Sequence, residues 1–267
     1  MIEWYQALIL AIVQGLTEFL PISSSAHLVL PSQLLGWADQ GLAFDVAVHV
    51  GTLMAVLLYY RQDLWQMAVA FFGSLTGRGA SDDSRLVWWL GFATVPAGVV
   101  GLAGGDFIEG EMRTILVIAT TTLVFGVLLG YADRLAQKKP GNNPLTLPMA
   151  LMIGLAQALA PVPGVSRSGI TITAGLLLGM SRTDAARFSF LLSIPIIASA
   201  GTLKAIELVR SGAAVDWGLL AMGVAASAIT AYLCIAVFLR LLDRVGLMPF
   251  VYYRIALAGV LYLVWLF

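Results

Sequence analysis

Long apolar runs separated by short polar breaks make up most of the chain. Six of these runs are about 18 to 23 residues long, the length that an α-helix needs to cross the hydrocarbon core of a bilayer. They cover residues 42–60, 86–104, 114–131, 188–206, 217–239 and 250–267. The pattern therefore predicts an all-α integral membrane protein with six transmembrane helices. A shorter stretch, residues 64–72, is predicted to be an amphipathic segment at the membrane surface.

Two further regions contain apolar segments that are too short to cross a bilayer. They are residues 4–20 and 26–35, around a polar tip at 21–25, and residues 148–161 and 170–179, around a polar tip at 166–169. Prolines stop the first helix of each pair, because proline lacks an amide proton and restricts the residue before it. We predict two re-entrant helical hairpins, over 4–36 and 148–179. Their non-helical tips must be buried in protein or line water.

The two hairpins match one another along the sequence. An offset of 143 pairs Gln14 with Gln157, Ser23 with Ser166, Ser25 with Ser168, and Gly36 with Gly179. This agreement predicts an internal duplication, with a first repeat at 1–139 and a second at 145–267, each holding one hairpin and three spans. The Pro/Gly/Asn-rich connector at 140–144 separates them. An odd number of crossings inverts the second repeat, so both tips are expected to meet near the bilayer midplane.

The distribution of lysine and arginine predicts the orientation. Ten of these residues fall in loops expected on one side, namely Arg61, Arg78, Arg85, Arg134, Lys138, Lys139, Arg182, Arg187, Arg240 and Arg244. Three fall on the other side, namely Arg113, Lys204 and Arg210. The richer side is predicted to be cytoplasmic. Both termini and the first hairpin would then face outward.

Composition agrees with this class and excludes others. The chain is 60% hydrophobic with a mean hydropathy of +0.90, which is too apolar for one soluble core. Its 15 basic and 15 acidic residues give no net charge, so no electrostatic footprint for nucleic acid exists. Cys234 is the single cysteine, which excludes an internal disulfide and a thiolate metal cluster. We interpret it as a small buried apolar residue.

Ionisable and hydroxyl groups cluster at the first tip. Glu18 and His27 flank Ser23, Ser24 and Ser25 in an otherwise apolar region. Such groups are costly at membrane depth, so they indicate a functional site. Glu18 can bind a divalent cation or act as a base, and the serines offer nucleophiles or ligands.

The second tip carries the complementary charge. The guanidinium of Arg167 suits phosphate oxygens, and Ser166, Ser168 and Gly169 allow backbone amides to approach an anion. An anion clamp facing a carboxylate, a hydroxyl and an imidazole is the set of groups that phosphoryl transfer uses. The two tips together therefore predict phosphate chemistry beside lipid.

Both motifs resemble a known family. The segment Gln-x-x-x-Glu-Phe-Leu-Pro-Ile-Ser-Ser-Ser-Ala-His at 14–27 and Pro-Gly-Val-Ser-Arg-Ser-Gly-Ile-Thr at 163–171 are similar to the two signatures of the undecaprenyl-diphosphatase (bacitracin-resistance) family. The resemblance implies a multi-pass enzyme of the bacterial inner (plasma) membrane, with its site opening to the periplasmic side. It implies hydrolysis of the polyprenyl lipid undecaprenyl diphosphate to undecaprenyl phosphate, and dependence on a divalent metal, Mg²⁺ or Ca²⁺.

The resemblance also implies residue roles. Glu18 would be the metal-binding or general-base carboxylate, Ser24 the nucleophile, His27 its acid/base partner and Arg167 the diphosphate clamp. The residues that would support substrate binding are Ser23, Ser25, Ser166, Ser168, Gly169 and Thr171. Gln14 stands where many members have glutamate. Its amide oxygen can bind a metal but cannot act as a base, so Glu18 is expected to be the main carboxylate of the site.

Several alternatives remain open at this level. A polyprenyl-phosphate flippase or transporter could use the same inverted-repeat architecture. The serines could serve only to satisfy backbone groups freed at the proline break, and Arg167 could form a purely structural ion pair with Glu18. Asp45 and His49 are expected to pair with each other or to support the site indirectly. A homodimer is also left open.

Two further expectations concern residues outside the tips. Arg254 is expected to extend to the membrane surface or pair with Asp243, with no chemical role. Five glycines are expected at helix-packing positions, namely Gly51, Gly98, Gly101, Gly104 and Gly105.

Overall fold

A computed structural model describes residues 2–77, 79–138, 141, 143–212 and 215–267. Arg78 and Lys139, which contribute to the predicted orientation, and part of the 140–144 connector lie outside these residues. The described residues form helices and no strands. The helices are α1 (Trp4–Thr17), α2 (Ser24–Leu34), α3 (Gly41–Tyr59), α4 (Arg61–Leu75), α5 (Asp82–Glu111), α6 (Ile115–Lys138), α7 (Leu147–Gln157), α8 (Arg167–Leu177), α9 (Arg182–Ser211), α10 (Trp217–Val245) and α11 (Met248–Leu266).

Six helices within these ranges are long and apolar enough to cross a membrane, which confirms the predicted class. They are α3, α5, α6, α9, α10 and α11. Several extend beyond their apolar runs. α5 continues to Glu111 through most of the predicted break at 106–113, and α9 begins at Arg182 rather than near residue 188. The hydropathy pattern marks only the part of a helix that contacts lipid, whereas its backbone hydrogen bonds continue into the polar ends.

The two pairs of short helices, α1 with α2 and α7 with α8, are compatible with re-entrant hairpins. Their non-helical links are the α1–α2 connection (residues 18–23) and the α7–α8 connection (residues 158–166). Both lie earlier in the sequence than the predicted tips. Ser24 and Arg167 are already the first residues of α2 and α8, because Ser23 and Ser166 are the N-cap residues of these helices.

That preceding residue has the same unusual backbone in both pairs. Ser23 has φ of 74° and Ser166 has φ of 71°, a left-handed region that costs free energy for any residue other than glycine. Gly36 and Gly179, which end the two pairs, have φ of 66° and 84°. These four residues are related by the offset of 143. Their shared conformation supports the proposed duplication.

Helix packing follows a corresponding symmetry. α10 packs on α1 and α3, and α5 packs on α7 and α9, while α6 packs on α11 and α3 packs on α9. Gly51 allows the close approach of α3 to α10, because a Cβ there would collide with Ser227 and with the backbone of Val224. The packing role expected for Gly51 is thus confirmed. It is wrong for Gly98, Gly101 and Gly105, because a Cβ added there would meet no described atom of another element within 4 Å. A Cβ added at Gly104 would meet only Ile108 of the same helix.

Ion pairs and hydrogen bonds join several of the basic helix ends. Arg182, at the start of α9, binds Asp133 near the end of α6, with 2.6 Å between Nε and Oδ1. Thr183 donates to Asp243 near the end of α10 at 2.9 Å, and Arg187 pairs with Asp63 in the first turn of α4 at 2.9 Å. The helix ends predicted to be cytoplasmic are therefore close together in space. Asp133 is fully buried, whereas both members of the Arg187–Asp63 pair are substantially exposed.

This difference in burial generates a stability prediction. Arg182→Ala would leave the buried carboxylate of Asp133 without its counterion and should lower the free energy of unfolding by about 3–5 kcal/mol. Arg187→Ala, which breaks an exposed pair, should cost about 1 kcal/mol or less. Unfolding of the detergent-solubilised protein by denaturant provides the measurement. Equal losses for both variants would contradict the assignment of Asp133 as a buried ion-pair partner.

Candidate functional site

The α1–α2 connection meets the start of α8 through an ion pair between Glu18 and Arg167. The distance from Arg167 Nη2 to Glu18 Oε1 is 3.0 Å, and the two side chains are only 12% and 8% exposed. Glu18 immediately follows α1, and Arg167 is the first residue of α8. The predicted contact between the two polar tips is therefore present. A buried carboxylate is stable here because it is paired and hydrogen-bonded.

The second carboxylate oxygen of Glu18 is also surrounded by polar groups. Ser24 donates its hydroxyl to Oε2 at 2.7 Å, and Gln14 donates its amide nitrogen to the same atom at 2.9 Å. His49, from α3, has its Nε2 atom 3.9 Å from Oε2. Glu18 is thus the centre of the site, held by groups from α1, α2, α3 and α8.

The contact between Ser24 and Glu18 has the geometry of a nucleophile and its base. Ser24 is only partly buried, and its hydroxyl points directly at a carboxylate oxygen. A base within hydrogen-bond distance can remove the proton of a hydroxyl as that hydroxyl attacks. The same geometry could hold a water molecule for attack. Either arrangement requires Glu18 to be ionised.

Arg167 is fixed on three sides. Beyond Glu18, its Nη1 atom donates to the backbone oxygen of Ser189 at 3.2 Å. Its guanidinium carbon also lies 5.8 Å from the ring centroid of Phe19, within the range of a cation–π interaction. A guanidinium has more donors than these contacts use, so its planar fork can still bind an oxyanion.

Hydroxyl groups in and after the α7–α8 connection bind mainly to protein. Ser166 caps α8 by accepting from the Gly169 amide at 3.1 Å, and Ser168 donates to the backbone oxygen of Leu20 at 2.8 Å. Thr171 lies 2.7 Å from the hydroxyl of Ser189. Ser166, Ser168, Gly169 and Thr171 are all buried. They shape the connection that presents Arg167, and contact with substrate remains a prediction for each of them.

The corresponding serines, at the end of the α1–α2 connection and the start of α2, differ in exposure. Ser23 is buried, with its hydroxyl 3.2 Å from that of Ser25, which is exposed. Ser24 lies between them and is the one whose hydroxyl reaches Glu18. The three-serine run therefore places one hydroxyl at the carboxylate and the others beside it.

His27 occupies a different environment from the one expected. Its Nδ1 atom lies 2.7 Å from the backbone oxygen of Ser23, and its Nε2 atom lies 2.6 Å from the hydroxyl of Tyr253. Because a carbonyl only accepts, Nδ1 carries the proton and Nε2 accepts from Tyr253. The two rings are stacked with centroids 5.7 Å apart. Among the described contacts of His27, none joins it to Ser24 or Glu18.

His49 is the imidazole that lies near Glu18. Of the two roles expected for Asp45 and His49, the contacts of His49 favour support of the site over a pairing of the two side chains. His49 Nδ1 instead lies 2.7 Å from the backbone oxygen of Asp45, and the Asp45 carboxylate accepts from Gln40 at 3.0 Å. Sequence reasoning could not choose between the two histidines, because the choice depends on how α3 packs beside α1.

Arg254 corrects another expectation, since it neither extends to the membrane surface nor pairs with Asp243. It is fully buried in α11. Its guanidinium donates to the backbone oxygens of Thr122 (3.1 Å), Pro21 (3.2 Å), Gly164 (2.8 Å) and Val165 (3.1 Å). One side chain thereby joins both connections and α6. An arginine in an apolar span signals a buried partner, but the carbonyls that serve as partners carry no sequence signal.

Two glycines, Gly169 and Gly126, accommodate this arginine. A Cβ on Gly169 would lie 2.9 Å from Arg254 Nη1, and one on Gly126 would lie 3.0 Å from Arg254 Cβ. Both positions must therefore lack a side chain while Arg254 holds its present place. The residue for which no chemical role was expected is a structural centre of the site.

The residues around Glu18 fit a divalent cation whose coordination the substrate would complete. No group of three or more His, Cys, Asp or Glu side chains suited to a metal occurs in the described part of the chain. Mg²⁺, however, is commonly held by one or two carboxylates together with substrate phosphates and water. Glu18 supplies a carboxylate and Ser24 a hydroxyl, and Gln14 Oε1 is buried without a hydrogen-bond partner.

The fold and this site define a polytopic α-helical membrane protein whose buried carboxylate and guanidinium are suited to phosphate chemistry. A family model described as "Bacitracin resistance protein BacA" matches residues 7–260. The undecaprenyl-diphosphatase of Alcanivorax borkumensis is 59% identical over 264 residues, covering 99% of both chains. That of Colwellia psychrerythraea is 57% identical over 260 residues, covering 94% of this chain and 95% of the relative. That of Teredinibacter turnerae is 56% identical over 255 residues, covering 96% and 97%.

The chain belongs to the bacitracin resistance protein BacA family. This confirms the resemblance that the two motifs indicated.

The contacts of Arg254 generate a second stability prediction. Arg254→Lys keeps the charge but loses the planar fork, so at least two buried carbonyls would lack a donor, at about 1–3 kcal/mol each. The expected loss in free energy of unfolding is about 2–5 kcal/mol, measured in detergent. Arg240→Lys, at an exposed position on α10, is the matched control and should be neutral. A neutral Arg254→Lys would show that the carbonyls are satisfied without the fork.

Proposed function

We propose that this protein is an integral membrane phosphatase that hydrolyses undecaprenyl diphosphate to undecaprenyl phosphate and phosphate. The observation that carries the proposal is the buried cluster of Glu18, Ser24 and Arg167 at the contact between the two connections. Membership of the family and the names of its relatives support it. They favour the phosphatase over a flippase or transporter built on the same architecture.

The cellular role follows from the substrate. Undecaprenyl phosphate is the carrier for peptidoglycan and other envelope polymers, so hydrolysis of the diphosphate recycles the carrier and gives resistance to bacitracin. We place the protein in the bacterial inner membrane with its site opening toward the periplasm. The excess of basic residues at one set of helix ends supports this orientation, and the contacts that join Asp133, Asp243 and Asp63 to α9 support their common location.

Substrate binding would begin at Arg167. A diphosphate carries more negative charge than a carboxylate, so it competes with Glu18 for the guanidinium. The lipid tail would remain in the bilayer while the head lies between the two connections. As the phosphate oxygens take Arg167, Glu18 is released from its ion pair and becomes a stronger base for Ser24.

The chemical step then uses Ser24. Its Oγ atom attacks the terminal phosphorus as Glu18 takes the hydroxyl proton, and the bond between that phosphorus and the bridging oxygen breaks. Undecaprenyl phosphate leaves with the bridging oxygen and its electron pair. Glu18 passes the proton that it holds to the departing phosphate oxygen. Water then attacks the phosphoserine as Glu18 takes a proton from that water, and the bond between phosphorus and Ser24 Oγ breaks. Ser24 recovers its hydroxyl by taking this proton from Glu18, and phosphate leaves as the second product. Arg167 stabilises the charge that develops on the transferred group.

A divalent cation would assist this chemistry. Glu18, with the amide oxygen of Gln14, would hold Mg²⁺ or Ca²⁺. When bound, the ion supplies charge neutralisation on the phosphate oxygens.

The phosphatase activity can be tested on purified protein. With undecaprenyl or farnesyl diphosphate and Mg²⁺ or Ca²⁺ in detergent, the protein should release phosphate. Arg167→Ala and Glu18→Ala should each lower kcat by about 100- to 1000-fold, because each removes charge stabilisation or the base. Arg113→Ala and Glu3→Gln, at exposed positions outside the site, are matched controls and should retain activity. Folded protein that releases no phosphate from either lipid would refute the proposal.

The covalent step has its own test. Acid quenching during turnover of a diphosphate labelled in its terminal phosphate should trap a phosphoserine in the wild type. Ser24→Ala should form none, whereas Ser25→Ala should still form it, because the Ser25 hydroxyl is directed to Ser23 rather than to Glu18. Turnover by the wild type without a trapped phosphoserine would instead assign Ser24 to orienting an attacking water.

A further inference from the structure

His49 stands out because nothing in the phosphatase mechanism uses it, although it faces the central carboxylate. Its Nε2 atom is 3.9 Å from Glu18 Oε2. This separation is too long for a direct hydrogen bond. The His49 side chain is 36% exposed, whereas that of Glu18 is 8% exposed.

The other ring nitrogen fixes the proton of His49. Nδ1 lies 2.7 Å from the backbone oxygen of Asp45, which can only accept, so Nδ1 carries the hydrogen. In the neutral imidazole, Nε2 then presents a lone pair on the side of Glu18. A ring N–H held by a backbone carbonyl, with the second nitrogen directed at a carboxylate site, is the arrangement typical of histidines that bind metals.

His27 provides the contrast within the same chain. Both of its ring nitrogens are engaged, one by the Ser23 carbonyl and one by the Tyr253 hydroxyl. Its Nε2 lone pair is thus already used. The two histidines of the chain therefore differ in whether a nitrogen is free to bind an ion.

The separation of 3.9 Å fits one ion between His49 and Glu18. Two ligand atoms that each lie about 2.1 Å from the same ion are about 3.0 Å apart at adjacent octahedral positions and about 4.2 Å apart at opposite ones. The observed distance is nearer to that of opposite positions, and a shift of about 0.3 Å of either side chain would bring the two atoms to it.

Gln14 is the weaker candidate for the second ligand. Its amide nitrogen donates to Glu18 Oε2, while its Oε1 atom, which has no hydrogen-bond partner among the described residues, is the atom that would have to reach the ion. A nitrogen that donates a hydrogen cannot bind a cation. Gln14 is also fully buried, which limits rotation of its amide toward an ion.

We infer that Glu18 Oε2 and His49 Nε2 together bind a divalent cation in this protein, with substrate phosphate and water completing its coordination. The inference rests on the metal requirement of the proposed function and changes its ligand set. An imidazole ligand favours a transition ion such as Mn²⁺ over Ca²⁺, which prefers oxygen alone.

The test uses the full-length protein in detergent, stripped of metal and titrated with Mn²⁺ in the absence of substrate. Free Mn²⁺ is measured by electron paramagnetic resonance, and nitrogen ligation by electron spin echo modulation of the bound ion. The wild type should show modulation from an imidazole nitrogen. His49→Gln should abolish it and raise the Kd for Mn²⁺ by at least about 10-fold. His27→Gln is the matched control and should preserve both.

Labelling of the wild type with ¹⁵N-histidine gives the same information without a substitution, since the modulation should change to that of ¹⁵N. The inference is overturned if the wild type binds no Mn²⁺, if bound Mn²⁺ shows no histidine nitrogen, or if His49→Gln and His27→Gln behave alike. Phosphate release by the same preparations is measured separately. Activity without nitrogen ligation would therefore leave the phosphatase assignment intact.

Discussion

The rest of the site depends on the hydrogen bonds that the Arg254 guanidinium donates to backbone carbonyls. Prolines and a positive-φ serine break the helices in both hairpin-like pairs, which leaves backbone carbonyls without helical partners. In a bilayer such groups must be satisfied inside the protein. Arg254 binds Pro21 in one connection and Gly164 and Val165 in the other. It also donates to Thr122 of α6, so both connections are held against one rigid helix.

This clamp explains why strained backbone persists next to the reactive groups. Ser23 and Ser166 keep positive φ values, and each immediately precedes a residue of the site, Ser24 or Arg167. Strain of this kind survives only where the surroundings determine the conformation. The hydrogen bonds from Arg254 to carbonyl groups of the same connections fix this conformation. The Ser168 hydroxyl adds a hydrogen bond from α8 to the backbone oxygen of Leu20. The fixed conformation of these connections thus sets the directions in which Ser24 and Arg167 point.

Much of the architecture could be predicted from the sequence, because apolar length and proline position act locally. The spans, the short helix pairs and the contact between Glu18 and Arg167 all follow from such signals and from the 143-residue offset. Helix ends could not be located, since polar turns continue a helix beyond lipid. The partners of Arg254 and the choice of His49 over His27 near Glu18 also could not be predicted. They depend on how α11 and α3 pack against the connections, and backbone carbonyls look the same in every sequence.

The pairing of Glu18 with Arg167 has a consequence for charge in the bound state. At rest each buried group neutralises the other, so the site is stable without ligand. When diphosphate takes Arg167, the Glu18 carboxylate loses its counterion while several phosphate charges arrive beside it. Like charges in a low-dielectric site repel strongly, so a base that must stay ionised needs a new positive partner there. Gln14 carries no charge and cannot be that partner. A cation between Glu18 and His49 would replace the positive charge of Arg167, which is then paired with the substrate.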